Sequence, residues 1–125
     1  MTSWPHFSEN ELKCRCGCGR EKMDHEFMER LVKLRDKCDF PFVLTSAYRC
    51  ANHPVEKAKT GTRVGAHRLG RAVDIKLLYG WPRHRLLRIA TNMGFLGIGV
   101  AGDFIHLDDL DADWGPRPAV WAYPA

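Results

Sequence analysis

Three side chains that commonly bind metals stand out in the second half of the sequence. His67 and Asp74 lie seven residues apart with Gly70 between them, and His106 follows within Phe104-Ile-His-Leu-Asp108. Two imidazoles and one carboxylate suffice for a divalent zinc ion that keeps a fourth position for water. Such a metal lowers the pKa of its water towards neutrality and polarises a substrate carbonyl. These residue types therefore predict a zinc-dependent hydrolase.

A hydrolase of this kind also needs a base and a group that holds the substrate. Asp103, three residues before His106, is the nearest candidate for the base. Residues three apart on a regular strand face opposite ways, so Asp103 reaches the metal only if the turn at Ala101-Gly102 bends it back. Arg49 follows a predicted strand and precedes a loop. We predict that its guanidinium holds a substrate carboxylate or steadies a developing oxyanion.

Strand alternation explains how the predicted ligands meet. In the strand predicted at 72–77, Asp74 lies on the face opposite the apolar side chains, and His106 does the same in the strand at 104–108. Two adjacent strands would then present both residues to one cleft. His67 must arrive from the preceding loop, and Gly70 supplies the sharp return that a residue with a Cβ would resist.

The remaining elements build a scaffold for this cleft. The sequence predicts helices over residues 9–13, 25–38 and 82–93, strands over 41–46, 72–77, 97–100 and 104–108, a loop over 51–66 and an irregular tail from Asp109. The second helix is capped by Asp24, and its apolar stripe is Phe27, Leu31, Leu34 and Cys38. This order predicts an α+β fold, a small, mainly antiparallel sheet with helices packed on one face, in a single domain over residues 1–125.

Composition narrows the classes of partner. The 125 residues carry a net charge of +4 without a block of basic residues, so we expect no nucleic-acid partner. No apolar run has the roughly 20 residues of a membrane helix, and we expect no membrane partner. The first residues lack a basic region followed by an apolar segment, which predicts a product that is cytoplasmic as made. We expect a monomer.

Two features remain with alternatives. Cys14, Cys16 and Cys18 alternate in a glycine-containing stretch, with Cys38 and Cys50 as the possible partners. Free thiols in a turn are the favoured interpretation, and a structural metal or an oxidisable cluster is the alternative. A nucleophilic role for Cys50 explains less of the sequence than the zinc ligands do. The acidic residues near the C-terminus are predicted as a solvated turn, with an orienting role for Asp108 as the alternative: Asp108, Asp109, Asp111 and Asp113.

Taken together, these motifs resemble the zinc D-Ala-D-Ala carboxypeptidase family, which includes bacterial DD-carboxypeptidases, D-Ala-D-Ala dipeptidases and phage L-Ala-D-Glu endolysins. The motifs that carry the resemblance are Ser46-Ala-Tyr-Arg49, His67 to Asp74 and Phe104-Ile-His-Leu-Asp108. The resemblance also includes the opening Phe7-Ser8, the cluster of Cys and Gly that follows, and the closing Arg117-Pro-x-x-Trp121-x-Tyr. The family shares its fold with lysostaphin-type peptidases and the hedgehog signalling domain. The resemblance implies that His67, Asp74 and His106 bind zinc and that Arg49 contacts the substrate.

Two positions depart from the family pattern. Gly65 stands where the family usually has Ser, and Asp103 stands where several branches have a Glu base. The resemblance predicts a zinc peptidase that hydrolyses the stem peptide of bacterial peptidoglycan. The first choice is a phage or prophage endolysin that acts on the cell wall after release, and the second choice is a DD-carboxypeptidase. The rival from another class is a non-catalytic, zinc-containing binding or phage structural module of the same fold.

Overall fold

The computed structural model of the protein describes residues 3–61 and 63–124. Its elements, in chain order, are α1 (Glu9–Leu12), α2 (His25–Cys38), β1 (Val43–Ser46), α3 (Pro54–Lys57), β2 (Ala72–Lys76), α4 (Gly80–Asn92), β3 (Gly97–Val100), β4 (Phe104–Asp108) and β5 (Ala119–Ala122). Within these residues no helix combines the length and apolarity needed to cross a lipid bilayer. The predicted helices and strands all form, with ends shifted by at most two residues.

The five strands form one sheet in the order β1-β2-β4-β3-β5. Every pairing is antiparallel except that of β3 with β5, which is parallel. This arrangement confirms the predicted α+β fold with a mainly antiparallel sheet. The prediction of an irregular tail was wrong at residues 119–122, because this short segment pairs with β3 at the edge of the sheet.

Helices α2 and α4 pack on one face of the sheet and bury its apolar side chains. Helix α2 begins at the N-cap Asp24, whose carboxylate accepts a hydrogen bond from the Phe27 N–H (2.9 Å). The predicted stripe of α2 is fully buried, and it joins Leu86 and Ala90 of α4 in the main core. The odd-numbered residues of β2 and β4 complete that core: Val73, Ile75, Ile105 and Leu107. The even-numbered residues of both strands therefore point to the opposite face.

The loop predicted over residues 51–66 contains one turn of helix, α3. Pro54 occupies its first turn, where a missing N–H costs no hydrogen bond, and the His53 side chain accepts from the Val55 N–H (3.2 Å). This turn brings Glu56 and Lys59 to the open face of the sheet, beside Arg49.

A candidate metal centre and its cavity

One row of residues crosses the whole sheet on its open face. The register pairs Ser46 with Asp74, Asp74 with His106, His106 with Gly99, and Gly99 with Trp121. Asp74 and His106 are direct neighbours on adjacent antiparallel strands, and Asp74 Oδ1 lies 3.1 Å from His106 Nδ1. The meeting of these two side chains, predicted from strand alternation, is confirmed.

His67 reaches the row from the turn that precedes β2. Its Nε2 lies 3.3 Å from Asp74 Oδ1, and its ring centroid lies 5.1 Å from that of His106. Gly70 closes this turn with a φ of 71°, a conformation that a residue with a Cβ rarely adopts. Its carbonyl accepts a hydrogen bond from the Asp24 N–H (2.9 Å), and a Cβ here would overlap the Lys22 carbonyl. Glycine thus fastens the His67 turn to the start of α2.

The hydrogen bonds of both imidazoles define which ring nitrogens are free for a metal. The Ala47 carbonyl can only accept, so His67 donates to it from Nδ1 (2.8 Å) and keeps Nε2 free. His106 donates from Nε2 to Asp108 (2.7 Å), which turns Nδ1 towards Asp74. Metal-binding histidines in proteins are oriented by such carbonyl and carboxylate partners. The ligand atoms of His67, Asp74 and His106 all lie within 4.8 Å of one another, so the donor set fits a divalent zinc ion.

Asp108 is not the solvated residue that the sequence predicted. Its side chain is fully buried and accepts two hydrogen bonds from Arg117, to Oδ1 (2.9 Å) and to Oδ2 (2.7 Å), beside the one from His106. The Arg117 guanidinium lies between the rings of Trp114 (4.7 Å) and Trp121 (4.9 Å). The alternative interpretation, an orienting carboxylate, therefore describes Asp108.

Asp109 is also buried, again contrary to the predicted acidic turn. Arg71 donates to both of its oxygens (2.8 and 2.7 Å), and Arg30 of α2 adds a third contact (2.8 Å). Arg71 also binds Asp24 (2.8 Å) and so ties the end of the His67 turn to the N-terminus of α2. The other two acidic residues of that segment, at positions 111 and 113, are exposed as expected.

The surroundings bias the protonation of all three candidate ligands. Burial lowers the pKa of His67 and keeps its imidazole neutral. Burial opposes ionisation of Asp74, but hydrogen bonds from His106 and His67 outweigh it and hold the pKa of this carboxyl well below its usual range. For His106, burial is outweighed by Asp108 and Asp74, which raise its pKa. Two ligands are thus ready for a metal near neutral pH, whereas a proton competes for the third.

A cavity of about 640 Å³ opens over this row. Its lining includes the three candidate ligands, a set of cations and a set of aromatic rings: Arg49, Lys59, Arg63 and Arg117, then Phe104, Trp114, Trp121 and Tyr123. Gly99 makes room for two of those rings, because a Cβ at this position would lie 2.6 Å from both Trp121 Nε1 and Tyr123 Cε2. In the described part of the chain, Asp74 is the one carboxylate in this lining.

Arg49 lies in the cavity wall next to the candidate ligands. Its Nε donates to Ser46 Oγ (3.0 Å), and its terminal nitrogens lie 3.4 Å from Asp74 and from Glu56. Gly65 leaves space for this arrangement, since a side chain there would overlap the Glu56 carboxylate and approach Lys59 Nζ to 2.7 Å. The space beside Gly65, where the family usually has Ser, is thus occupied by the Glu56 carboxylate, which Lys59 also binds (2.9 Å).

Asp103 does not join the other predicted site residues. It is exposed and outside the cavity lining, and its carbonyl accepts from the Leu77 N–H (3.0 Å), which continues the β2–β4 ladder. Its turn is closed by a hydrogen bond from the Ala101 N–H to the Phe104 carbonyl (3.0 Å) and held by Arg83, which donates to two carbonyls of the turn. A catalytic role for Asp103 stays a prediction.

Sequence reasoning missed the support given by Arg117 and Trp121. The signal that could have found them is the closing Arg-Pro-x-x-Trp-x-Tyr motif, which carries part of the resemblance. Comparison with known proteins agrees with the geometry of the site. A family model described as Peptidase M15 matches residues 5–108, well over half of the chain and inclusive of all three candidate ligands. No curated protein matches the chain.

Proposed function

Because the chain belongs to the Peptidase M15 family, whose members are zinc-dependent, we propose that it is a zinc peptidase that hydrolyses the stem peptide of bacterial peptidoglycan. The observation that carries the proposal is the oriented trio of His67 Nε2, His106 Nδ1 and the Asp74 carboxylate. Three protein ligands with one position left for water form a catalytic rather than a structural zinc site. When bound, zinc supplies an activated water and polarises the scissile carbonyl.

The charge of the cavity supports a peptide substrate that carries carboxylates. Arg117 is paired with Asp108. The other cations of the lining, Arg49, Lys59 and Arg63, outnumber their carboxylate partners Glu56 and Asp74, so this part of the cavity keeps a positive charge. Peptidoglycan stem peptides carry free carboxylates close to their scissile bonds. Arg49 is the best placed of these cations to hold such a group, because it lies beside the ligand Asp74 and is fixed by Ser46 (3.0 Å). The aromatic rings of the wall would exclude water around the scissile bond.

Asp103 is the general base in this proposal. To act, its carboxylate must swing towards His106, which requires the turn at residues 101–103 to leave the carbonyl contacts made by Arg83. Catalytic hydrogen bonds are often long or poorly aligned in ligand-free structures and tighten only with substrate bound, so the ligand-free position of Asp103 does not exclude the role. As the source of such an enzyme, we propose a phage or prophage endolysin that is released to the wall at lysis.

A second candidate function is a non-catalytic, zinc-containing binding or phage structural module of the same fold. One observation favours it: across residues 3–61 and 63–124, the cavity lining holds no carboxylate other than Asp74 that could serve as a base. Such a module would bind the stem peptide through the same cations and leave its bonds intact.

Mass spectrometry of treated cell walls distinguishes these functions. Purified peptidoglycan is incubated with zinc-loaded protein, and with a His67→Ala variant as the matched control. The peptidase predicts new fragments with free amine termini from the zinc-loaded protein alone, and their masses identify an L-Ala-D-Glu or a D-Ala-D-Ala bond. Sedimentation of the protein with intact, uncut walls would support the binding module and overturn the peptidase.

A further inference from the structure

Four cysteines converge at a place outside the catalytic cavity. Cys14, Cys16 and Cys18 lie on the loop after α1, and Cys50 follows Arg49 in the segment after β1. The four sulfur atoms all lie within 4.8 Å of one another. The fifth cysteine, Cys38, is buried in the main core. The fold thus selects Cys50 as the partner of the alternating cysteines, a choice that the sequence left open.

The sulfur separations are those of a metal site. Cys14 Sγ and Cys16 Sγ lie 3.7 and 3.5 Å from Cys50 Sγ. Four sulfurs placed tetrahedrally at about 2.3 Å from a zinc ion are about 3.8 Å apart. A disulfide would instead join two of the sulfurs at about 2.05 Å and leave the other two outside. One tetrahedral ion accounts for the convergence of all four.

Backbone N–H groups are directed at two of the four sulfurs. The Cys50 N–H donates to Cys14 Sγ (3.3 Å), and the Arg20 N–H donates to Cys18 Sγ (3.4 Å). These contacts fix the positions of the Cys14 and Cys18 sulfurs. The loop is closed by a bond from the Cys14 N–H to the Arg20 carbonyl (2.8 Å), and its two glycines have φ values of 95° and 74°. These left-handed residues let single-residue spacings direct three sulfurs to one point.

We propose that Cys14, Cys16, Cys18 and Cys50 bind a second zinc ion, in a closed structural site. Four protein thiolates leave no position for water, so this ion stabilises the fold and takes no part in hydrolysis. It fastens the N-terminal loop to the segment that carries Arg49, where the Tyr48 N–H already donates to the Leu12 carbonyl (3.1 Å). The segment continues to the catalytic centre, because the Arg49 N–H donates to the His67 carbonyl (3.2 Å). The cysteine site therefore stabilises the segment that places Arg49 in the cavity wall.

The zinc content of matched variants tests the proposal. The full chain is purified under reducing conditions with zinc present, and bound zinc is measured by elemental analysis. Two candidate sites predict two zinc ions per chain. A Cys16→Ser/Cys18→Ser variant changes two exposed positions and should bind one zinc. Cys38→Ala, which removes a cysteine outside the cluster, should keep two, and His67→Ala should keep the one in the cysteine site.

Cobalt substitution gives a second measurement that requires no variant to fold. Thiolate ligands produce a strong sulfur-to-cobalt charge-transfer band in the near ultraviolet, whereas a site with two imidazoles and one carboxylate does not. We expect this band in the wild type and in His67→Ala, and its loss in the Cys16→Ser/Cys18→Ser variant.

Two results would overturn the structural zinc site. One is a His67→Ala variant that binds no zinc and shows no charge-transfer band. This result would count against the cysteine site alone and not against the proposed catalytic site. The other is a wild-type mass lighter by two hydrogens under reducing conditions, which would show a disulfide. Conversely, a wild type with one zinc that His67→Ala retains would support the cysteine site and count against the proposed catalytic site.

Discussion

Asp108→Asn should weaken zinc binding, although Asp108 is not itself one of the candidate ligands. The Asp108 carboxylate accepts the Nε2 proton of His106 (2.7 Å) and thereby keeps Nδ1 directed at Asp74. An amide lacks the charge that favours this tautomer and orientation. Loss of such an outer carboxylate typically costs about 10- to 100-fold in metal affinity. That range corresponds to about 1.4–2.7 kcal/mol, at 1.36 kcal/mol for each factor of ten.

The same substitution should also destabilise the metal-free protein. The Asp108 side chain is fully buried and accepts two charge-assisted hydrogen bonds from Arg117 as well as that from His106. Each such bond contributes about 1.5–3 kcal/mol, and removal of one partner of a buried pair costs about 3–5 kcal/mol. Asparagine keeps one acceptor oxygen, and the Arg117 guanidinium keeps its contact with two indole rings. We therefore expect a loss of about 2–4 kcal/mol in the free energy of unfolding.

Asp109→Asn is the matched control, because Asp109 is equally buried and bound by arginines but does not contact a histidine. Both variants should lose similar stability in urea titrations with a chelator present. Zinc binding is measured in a series of buffers that fix the free zinc concentration. The binding step to be compared is the one that is missing in the His67→Ala variant. Only Asp108→Asn should shift that step to higher zinc. An unchanged step in Asp108→Asn, or an equal shift in Asp109→Asn, would refute the orienting role.

Three further perturbations probe other parts of the site. Gly99→Ala should lower the free energy of unfolding by about 1–3 kcal/mol, because its Cβ meets two aromatic rings. Gly102→Ala has open space around its Cβ, so in the same denaturant titration its free energy of unfolding should stay within about 0.5 kcal/mol of the wild type. Equal stability of the two would contradict the crowding at β3. Asp103→Asn should lower kcat on cell walls by about 10²–10⁴-fold with zinc retained. Substitution of the exposed Asp111 by Asn should leave kcat unchanged. Full activity of Asp103→Asn would exclude Asp103 as the base. Because the pKa of His106 is raised above 6.5, its proton competes with zinc as the pH falls through that raised value, so zinc affinity should fall about tenfold per pH unit there. Zinc titrations from about pH 8 to about pH 5.5 check this, and a constant affinity would contradict it.

The parts of the site that follow from local pattern could be predicted from the sequence. Alternation within β2 and β4 is a property of each strand, so it placed Asp74 and His106 on the face opposite the core before their pairing was known. Gly70 was predicted as a sharp return and has a φ of 71°. Helix α2 was predicted from its cap and apolar spacing, since both depend on neighbours within a few residues.

The parts that depend on distant partners were missed. Asp108 and Asp109 read as a solvated acidic turn because nothing local shows that Arg117 and Arg71 pair with them. The sequence predicts an irregular tail where β5 forms, because a parallel partner gives no turn signal next to it in the sequence. Cys50 could not be chosen over Cys38 as the partner of the cysteine loop until the fold brought their sulfurs to different places.

Release of new amine groups from purified cell walls, as a function of metal content, tests the central proposal most directly. The protein is assayed zinc-loaded, after removal of metal by a chelator, and after zinc is restored. We expect release by the loaded protein, its loss on chelation, its return with zinc, and no release by His67→Ala in any state. Release that persists in the chelated protein or in His67→Ala would contradict a zinc peptidase built on His67, Asp74 and His106.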